Sequence, residues 1–129
     1  NIWVSKSGFG GTEYLLSALF SEGSKRGLSL PHLAQLVSTN PARRYGLNCK
    51  GDIEVGFDAD LAIIDANESF VVSAAESESG QGYTPFEGME LTGKVVSTYL
   101  RGELVYDKGA VTGPARGQYQ RRPSAPPLD

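Results

Sequence analysis

The sequence predicts an α+β fold in which helices occupy the first part of the chain and strands the second. Before Lys50, apolar residues recur at helical spacing between capping residues and glycines. After Lys50, they alternate with polar residues or form short apolar runs that turn dipeptides separate. The change from helix to strand therefore falls near Asn48.

The first predicted helix begins at about Thr12, directly after a glycine-rich loop. Thr12 is a candidate N-cap because its hydroxyl is able to accept a hydrogen bond from an amide of the first turn. Residues 14–20 are almost continuously apolar, so we expect this helix to be buried on most sides. Gly23 is predicted to end it.

Two further helices are predicted before the strands begin. Ser29 is the expected cap of the second helix, with Pro31 in its first turn, where a missing amide costs nothing. A short third helix has Asn40 as its cap, Pro41 at its first position and Gly46 at its end.

The strand-forming part of the chain begins with a predicted hairpin. Residues 52–55 alternate apolar and acidic side chains, which is typical of a half-buried strand. The apolar run at residues 61–64 predicts a central strand that is covered on both faces. A turn at residues 66–67 then leads to another strand at residues 69–72.

The remaining strands are predicted to form consecutive hairpins. Residues 73–84 contain mostly Ser, Glu, Gly and Gln, which predicts a mobile loop. Beyond it, residues 94–100 predict a strand, with tight turns at residues 101–102 and 108–109 joining it to two more. The result is a small antiparallel sheet.

The composition is that of one soluble domain. The chain has 129 residues, of which 40% are hydrophobic and 21% charged, as expected for a domain with its own core. Its apolar runs fall far below the roughly 20 residues that a bilayer requires, so we predict no membrane partner. Cys49 is the one cysteine in the sequence. An intrachain disulfide is therefore excluded, and a cytoplasmic location is expected.

The charge distribution argues against a nucleic-acid partner. The formal net charge is −3, and residues 113–129 carry three arginines and one aspartate. Three arginines are too few to bind a nucleic acid when the rest of the chain carries a net negative charge. The Pro and Gly content of the same residues predicts an extended arm or a disordered tail, and such an arm is able to grip a neighbouring subunit.

Local motifs do not define a catalytic centre. Metal sites draw on two or three His or Cys ligands, but His32 and Cys49 are the only residues of those types. We interpret His32 as structural and Cys49 as a surface-turn residue. A Ser-His-Asp triad lacks a nucleophile-elbow motif to place it. Asp58 and Asp60 flank a turn, so we expect them to hydrogen-bond local amides rather than to form an acid/base pair.

The glycine-rich loop at residues 8–11 is the strongest local candidate for ligand contact. It precedes a helix start, where unpaired amides and glycines allow an anion or polar group to approach closely. Its spacing matches neither the dinucleotide fingerprint nor the P-loop. A structural turn is therefore the favoured interpretation.

Several motifs occur in order along nearly the whole chain. They are STNPARRYGL at residues 38–47, KGDI at 50–53, GFDADL at 56–61, FEGM at 86–89, LTG at 91–93 and LRG at 100–102. As a set they resemble the C-terminal part of the cyclic amidohydrolases, which are the hydantoinases, dihydropyrimidinases, allantoinases and dihydroorotases. Residues 86–93 and 117–119 are most similar to hydantoinase and dihydropyrimidinase. Residues 8–16 and 26–30 resemble allantoinase as much as they resemble those two enzymes.

The resemblance implies a metal-dependent (β/α)8 barrel with a small β-sandwich assembled from the two chain ends. Residues 1–48 correspond to the last helical part of the barrel and residues 49–112 to the C-terminal strands of the sandwich. Residues 113–129 correspond to an arm or disordered tail. The chain opens without an initiator methionine and directly in apolar sequence. We therefore expect it to be a segment of a longer polypeptide, whose remainder covers the first helix.

The resemblance also implies where the chemistry lies. The family uses a His-x-His pair, a carboxylated lysine that bridges two divalent metals, two further histidines and an aspartate, and the metals activate the attacking water. None of these positions falls in this chain, so it is expected to hold no metal and no catalytic residue and to be inactive alone. The expected metal of the parent enzyme is zinc. A loop asparagine that contacts the substrate through its backbone corresponds to Ser7, so Ser7 and Gly8 are predicted substrate-binding residues.

Three functional hypotheses follow. In the first, the chain is the C-terminal segment of a homo-oligomeric enzyme that hydrolyses a small cyclic amide: a hydantoin, dihydropyrimidine, allantoin or dihydroorotate-like substrate. In the second, it belongs to a catalytically dead relative with a structural or interaction role. In the third, the chain is an independent binding module, which predicts a cooperative thermal melt of these residues alone.

Overall fold

A computed structural model describes residues 8–121, in which three helices precede one antiparallel sheet, as the sequence predicts. The helices are α1 (Leu15–Lys25), α2 (Leu30–Ala34) and α3 (Asn40–Tyr45). The strands are β1 (Leu61–Val71), β2 (Glu90–Leu100), β3 (Glu103–Asp107) and β4 (Ala110–Val111). Among the helices of this part of the chain, none combines the length and the apolar character needed to cross a bilayer.

The start of α1 differs from the prediction. Thr12 lies inside a 3₁₀ turn, Thr12–Tyr14, and no side chain caps that turn. The backbone closes the turn instead, because the Tyr14 amide donates to the Gly11 carbonyl at 3.0 Å. The prediction that Thr12 is an N-cap is therefore wrong.

The end of α1 lies beyond Gly23. The helix continues to Lys25, and Gly27 then takes a φ of +79° while the Leu28 amide returns to the Gly23 carbonyl at 3.0 Å. This is the Schellman arrangement, which favours glycine at the left-handed position. Gly23 stays helical and buried because Leu33 of α2 packs on it: a Cβ there would lie 2.6 Å from a Leu33 methyl.

The buried face of α1 is built from mostly small side chains. Ser17 and Ser21 are buried against the sheet, together with Tyr14 just before the helix. Ser21 Oγ accepts a hydrogen bond from the Thr92 amide of β2 at 3.2 Å. Leu15, by contrast, is 57% exposed. Within the described residues the sheet covers the small-residue face of α1 and leaves Leu15 exposed, so the predicted burial on most sides is met only in part by this part of the chain.

α2 and α3 form one continuous helical segment. Ser29 caps α2 as predicted, accepting a hydrogen bond from the His32 amide at 3.4 Å. Asn40 is not a cap, since a π-helical turn, Gln35–Thr39, joins the two helices and Thr39 and Asn40 both keep helical dihedrals. This wider turn ends next to Pro41, which has no amide hydrogen to donate.

Gly46 ends α3, as predicted. Its φ is +63°, and the Leu47 amide donates to the Ala42 carbonyl at 2.9 Å. This is a second Schellman ending, and it directs the chain away from the helices.

The sheet has the order β1-β2-β3-β4, and every pair of neighbours is antiparallel. Both predicted two-residue hairpin turns are confirmed. Arg101 and Gly102 have φ angles of +50° and +78°, and Lys108 and Gly109 have +47° and +93°. Two consecutive positive φ angles give the turn that matches the right-handed twist of paired strands.

β1 is longer and less covered than predicted. It is one strand from Leu61 to Val71 and pairs with β2 alone at the edge of the described sheet. A shift in pairing register between Asp65 and Ser69 replaces the predicted turn, and the Asn67 amide donates to Asp65 Oδ1 at 2.9 Å. The predictions of a central strand and of two separate strands are therefore wrong, because a bulge absorbs the extra residues.

Residues 52–55 do not form the predicted strand. Ile53 is 83% exposed and Val55 is fully exposed, and a turn follows in which the Phe57 amide donates to the Glu54 carbonyl at 3.1 Å. Alternation produces a strand only where a neighbouring strand pairs with the backbone. No strand of the described residues lies beside this segment.

The core lies between α1 and the first two strands. Tyr14, Val72 and Leu91 are buried there, with Phe70 and Phe86 packed against them. Because Phe86 follows the long loop at residues 73–84, the core fixes the far end of that loop beside α1.

The described part of the tail, residues 113–121, contains no helix or strand. Arg116 ties it to the hairpin between β2 and β3: its carbonyl accepts from the Arg101 guanidinium at 2.6 Å, and its own guanidinium pairs with Glu103. The predicted grip on a neighbouring subunit stays a prediction.

Candidate functional site

The glycine-rich loop is shaped by contacts with the later loop at residues 73–84. A Cβ on Gly10 would lie 2.9 Å from the Tyr83 carbonyl oxygen and 3.0 Å from Ser79 Oγ. A Cβ on Gly11 would lie 3.1 Å from the Phe86 ring. The glycines at these two positions therefore permit close approach of the protein's own backbone and side chains.

Glu13 holds the later loop against the start of α1. Its carboxylate accepts a hydrogen bond from Ser77 Oγ at 2.6 Å and another from the Glu78 amide at 3.1 Å. A carboxylate near a helix start interacts favourably with the positive end of the helix dipole. The same negative charge disfavours a second anion, so the arrangement supports the structural interpretation of the glycine loop over a phosphate site.

The two predicted substrate-binding residues lie at one end of the described chain. Ser7 falls outside the described residues, and Gly8 is the first of them. Gly8 is exposed, with a φ of +79°, and a Cβ there would meet nothing within 4 Å. Its carbonyl accepts a hydrogen bond from the Tyr83 hydroxyl at 2.5 Å. Substrate contact by Ser7 and Gly8 stays a prediction.

An open cavity of about 850 Å³ lies beside this loop. Its walls come from the glycine-rich loop, α1, the later loop and the sheet, and include Phe9, Leu16, Gln81, Tyr106 and Val111. Concave surfaces of this size are where small ligands bind in proteins. The cavity is therefore a concave surface lined by Phe9, the residue that follows Gly8.

The titratable residues of the described chain do not fit a metal ion. Within residues 8–121, no three side chains of His, Cys, Asp or Glu lie together in a group that is able to hold one. His32 is exposed in the first turn of α2, and Cys49 is exposed with a φ of +61°.

Asp58 and Asp60 form a cluster with a cation that the sequence did not point to. Lys50 Nζ lies 2.7 Å from Asp58 Oδ2 and also donates to Asp60 Oδ2. Asp60 Oδ1 accepts from the Arg101 amide at 2.8 Å. The predicted bond to an amide is thus found for Asp60, but the amide lies 41 residues away. Since no local pattern marks so distant a partner, local turn chemistry was the wrong basis for that prediction.

The cluster shifts two pKa values. Partial burial raises the pKa of Asp60, but hydrogen bonds from Lys50 and from the Arg101 amide outweigh it and hold that pKa below its ordinary value. Partial burial likewise lowers the pKa of Lys50, and its bonds to Asp58 and Asp60 outweigh it, leaving the pKa above its ordinary value. Both shifts favour the charged forms in the folded state.

Replacing Lys50 with methionine is expected to lower the free energy of unfolding at pH 7 by about 2 kcal/mol, because two carboxylates then face each other without their cation. The folded pKa of Asp60 is depressed, so its contribution is present above the ordinary aspartate pKa and is lost as pH falls through the folded value. The difference between wild type and variant should therefore shrink below about pH 4. Urea unfolding measured between pH 3 and pH 8 checks this.

Lys25→Met is the matched control for this experiment. Lys25 pairs with Glu22 on the exposed surface of α1, where its side chain is 57% exposed. The expected loss is small, because solvent screens an ion pair on the exposed surface. Equal losses for the two variants would contradict a special role for the Lys50 cluster.

The comparisons with known proteins agree with this architecture. A model of the amidohydrolase family matches residues 9–105. The chain belongs to the amidohydrolase family, and the resemblance noted in its sequence is confirmed.

Individual relatives include hydantoinases and allantoinases. A D-hydantoinase from Geobacillus stearothermophilus is 46% identical over 110 residues, which cover 83% of this chain and 23% of the relative. An allantoinase from Deinococcus radiodurans is 38% identical over 115 residues, covering 88% of this chain and 25% of the relative.

Solved structures show the same relationship. The L-hydantoinase (dihydropyrimidinase) from Arthrobacter aurescens superposes with a TM-score of 0.80 at 36% identity, covering 88% of this chain and 26% of that one. The chain thus spans about a quarter of the length of the relatives that it matches.

Proposed function

We propose that this chain is the C-terminal segment of a metal-dependent enzyme that hydrolyses the ring amide of a hydantoin, dihydropyrimidine, allantoin or dihydroorotate-like substrate. The observation that carries the proposal is the family match across residues 9–105, together with relatives named D-hydantoinase and allantoinase. The chain's share of about a quarter of those relatives supports its role as one segment of a longer polypeptide.

The exposed apolar residues support a covering polypeptide. Leu15 on α1 is 57% exposed, Ile53 is 83% exposed and Val55 is fully exposed. Large apolar side chains are rarely left in water when a burying partner exists, because their burial is favourable at about 25 cal/mol per Å². We infer that the rest of the same polypeptide covers these surfaces. Residues 1–48 would then complete a (β/α)8 barrel, and residues 49–112 would complete a β-sandwich.

The chain's own contribution to the reaction is then to position the substrate. Ser7 and Gly8 contact the substrate ring through the backbone, and the catalytic and metal-binding groups come from the remainder of the polypeptide. A divalent metal, with zinc as the expected ion, supplies a Lewis acid in that remainder. The whole enzyme is expected to be a cytoplasmic homo-oligomer acting on a small molecule.

The complete protein, including the sequence upstream of this chain, is the material that tests the proposal. We expect it to hydrolyse at least one of hydantoin, dihydropyrimidine, allantoin and dihydroorotate, to lose that turnover when a chelator removes its metal, and to regain it with zinc. Metal content by mass spectrometry and product formation by chromatography measure this.

The control is a complete protein in which the histidines of an upstream His-x-His pair are replaced by alanine, which should remove both metal and turnover. Turnover that persists in demonstrably metal-free protein would overturn the metal-dependent mechanism. A complete protein that neither binds metal nor turns over any of the four substrates would support the catalytically dead alternative instead.

A further inference from the structure

We propose that Tyr83 is a positioning residue for the substrate contact at Gly8. This inference rests on the proposed function, because it assigns a role to Tyr83 in the same site. Tyr83 is not among the residues that the sequence predicts for the site. It lies 75 residues after Gly8, in the loop at residues 73–84.

The first observation is the hydrogen bond to the Gly8 carbonyl. The Tyr83 hydroxyl donates to it at 2.5 Å. Packing within residues 8–121 does not fix Gly8, since the residue is exposed and a Cβ there would meet none of their atoms within 4 Å. Glycine at a φ of +79° also has wide conformational freedom. The hydrogen bond therefore restrains a peptide unit that would otherwise have many orientations.

The second observation is that Tyr83 also contacts the next two residues. Its ring meets the Phe9 ring edge to face, with centroids 6.4 Å apart and an interplanar angle of 76°. Its carbonyl oxygen lies 2.9 Å from the position that a Cβ on Gly10 would occupy. Three consecutive residues of the glycine-rich loop thus lie against one tyrosine, which fixes the path of the loop as well as one of its carbonyls.

The third observation is that Tyr83 is itself held in place. Its neighbour Thr84 is buried, and the Phe86 amide donates to Thr84 Oγ1 at 3.3 Å. On the other side of Tyr83, Glu13 binds Ser77 and Glu78. The loop that carries Tyr83 is thus anchored before and after this residue, which limits where its side chain lies relative to the glycine-rich loop.

A backbone contact to a substrate depends on the orientation of its peptide unit. When Tyr83 loses its hydroxyl, the peptide unit between Gly8 and Phe9 gains freedom, and the substrate must then select one of several orientations. The expected consequence is weaker binding with little change in the chemical step.

Tyr83→Phe in the complete protein tests the proposal. The variant keeps the ring that meets Phe9 and removes the hydroxyl that donates to the Gly8 carbonyl. We expect KM to rise about fivefold, as the loss of one hydrogen bond implies, while kcat changes less than about twofold. Tyr14→Phe is the matched control, because the Tyr14 hydroxyl donates to Ser73 of the same loop at 3.3 Å, away from Gly8. Its KM should equal that of the wild type.

Hydrogen exchange supplies a readout that does not need turnover. The Phe9 amide belongs to the same peptide unit as the Gly8 carbonyl, so Tyr83→Phe should speed exchange in a peptide covering residues 8–11 and Tyr14→Phe should not. Unchanged exchange and unchanged KM in Tyr83→Phe would overturn the positioning role, and so would an equal rise of KM in Tyr14→Phe. An inactive wild type with faster exchange in Tyr83→Phe would overturn the proposed function alone and leave the loop restraint supported.

Discussion

Replacing Gly51 with alanine is expected to lower the free energy of unfolding by about 4 kcal/mol, through backbone strain and overpacking together. Gly51 has a φ of +88°, and an added Cβ would lie 2.4 Å from the Ala42 Cβ and 2.9 Å from the Ser38 carbonyl oxygen. The Gly51 carbonyl also accepts from Ser38 Oγ at 3.2 Å and from Thr39 Oγ1 at 2.9 Å. The neighbouring atoms belong to the Ser38 backbone and to the Ala42 methyl group, neither of which is able to rotate out of the way. Urea unfolding followed by circular dichroism measures the loss.

Gly56→Ala separates strain from crowding. Gly56 has a φ of +94°, close to that of Gly51, but a Cβ there would meet nothing within 4 Å. Only the conformational cost remains, so the expected loss is about 1 kcal/mol. Similar losses in the two variants would contradict close packing of Gly51 against Ser38 and Ala42.

Replacing Gly93 with alanine is expected to cost about 3 kcal/mol, mainly by forcing β2 away from α1. Gly93 has a φ of +93°, and a Cβ would lie 2.2 Å from Cδ1 of Phe20. The ring has some freedom to move, unlike the backbone beside Gly51, so the expected loss is slightly smaller. Thermal and urea unfolding of the single variant measure it.

Two further variants isolate the contact between Gly93 and Phe20. Gly109→Ala has the same φ of +93° with nothing within 4 Å, and should cost about 1 kcal/mol. In Gly93→Ala combined with Phe20→Ala, the ring that the new methyl meets is absent, so the combined loss should be smaller than the sum of the two single losses. Additive losses would contradict a direct clash.

The sequence predicted those parts of the fold that local chemistry decides. The turns at Gly46, Gly102 and Gly109 were predicted because glycine adopts a left-handed backbone more readily than any other residue. Asn40 was misplaced as a cap because a π-helical turn carries the helix through it. Nothing in a capping pattern distinguishes a helix start from a residue inside a longer helical segment.

Predictions failed where a residue's role depends on a distant partner. Gly23 is of the residue type that often ends a helix, yet it lies inside α1. Glycine is required there because the Leu33 side chain packs directly on its backbone. Residues 52–55 have the pattern of a strand but no described strand beside them to pair with. Exposure of Ile53 is the direct result.

The candidate site was predictable only in part. The glycine-rich loop is visible in the sequence, and the family resemblance identified Gly8 within it. The hydroxyl of Tyr83 that restrains Gly8 comes from a residue 75 positions later, in a segment whose composition indicates nothing but a loop. The contact between Tyr83 and Gly8 depends on the packing of Phe86 against Tyr14, which brings the two loops together. No short sequence pattern encodes that packing.

The order of the strands also bears on how the chain folds. Each strand pairs with the one that follows it along the chain, and the two later connections are turns of two residues. The pairings of β2 with β3 and of β3 with β4 close short loops, whereas residues 72–89 separate β1 from β2. Because contacts that are close in sequence form rapidly, the hairpin of β2 and β3 is expected to form first and β1 to pair with it more slowly.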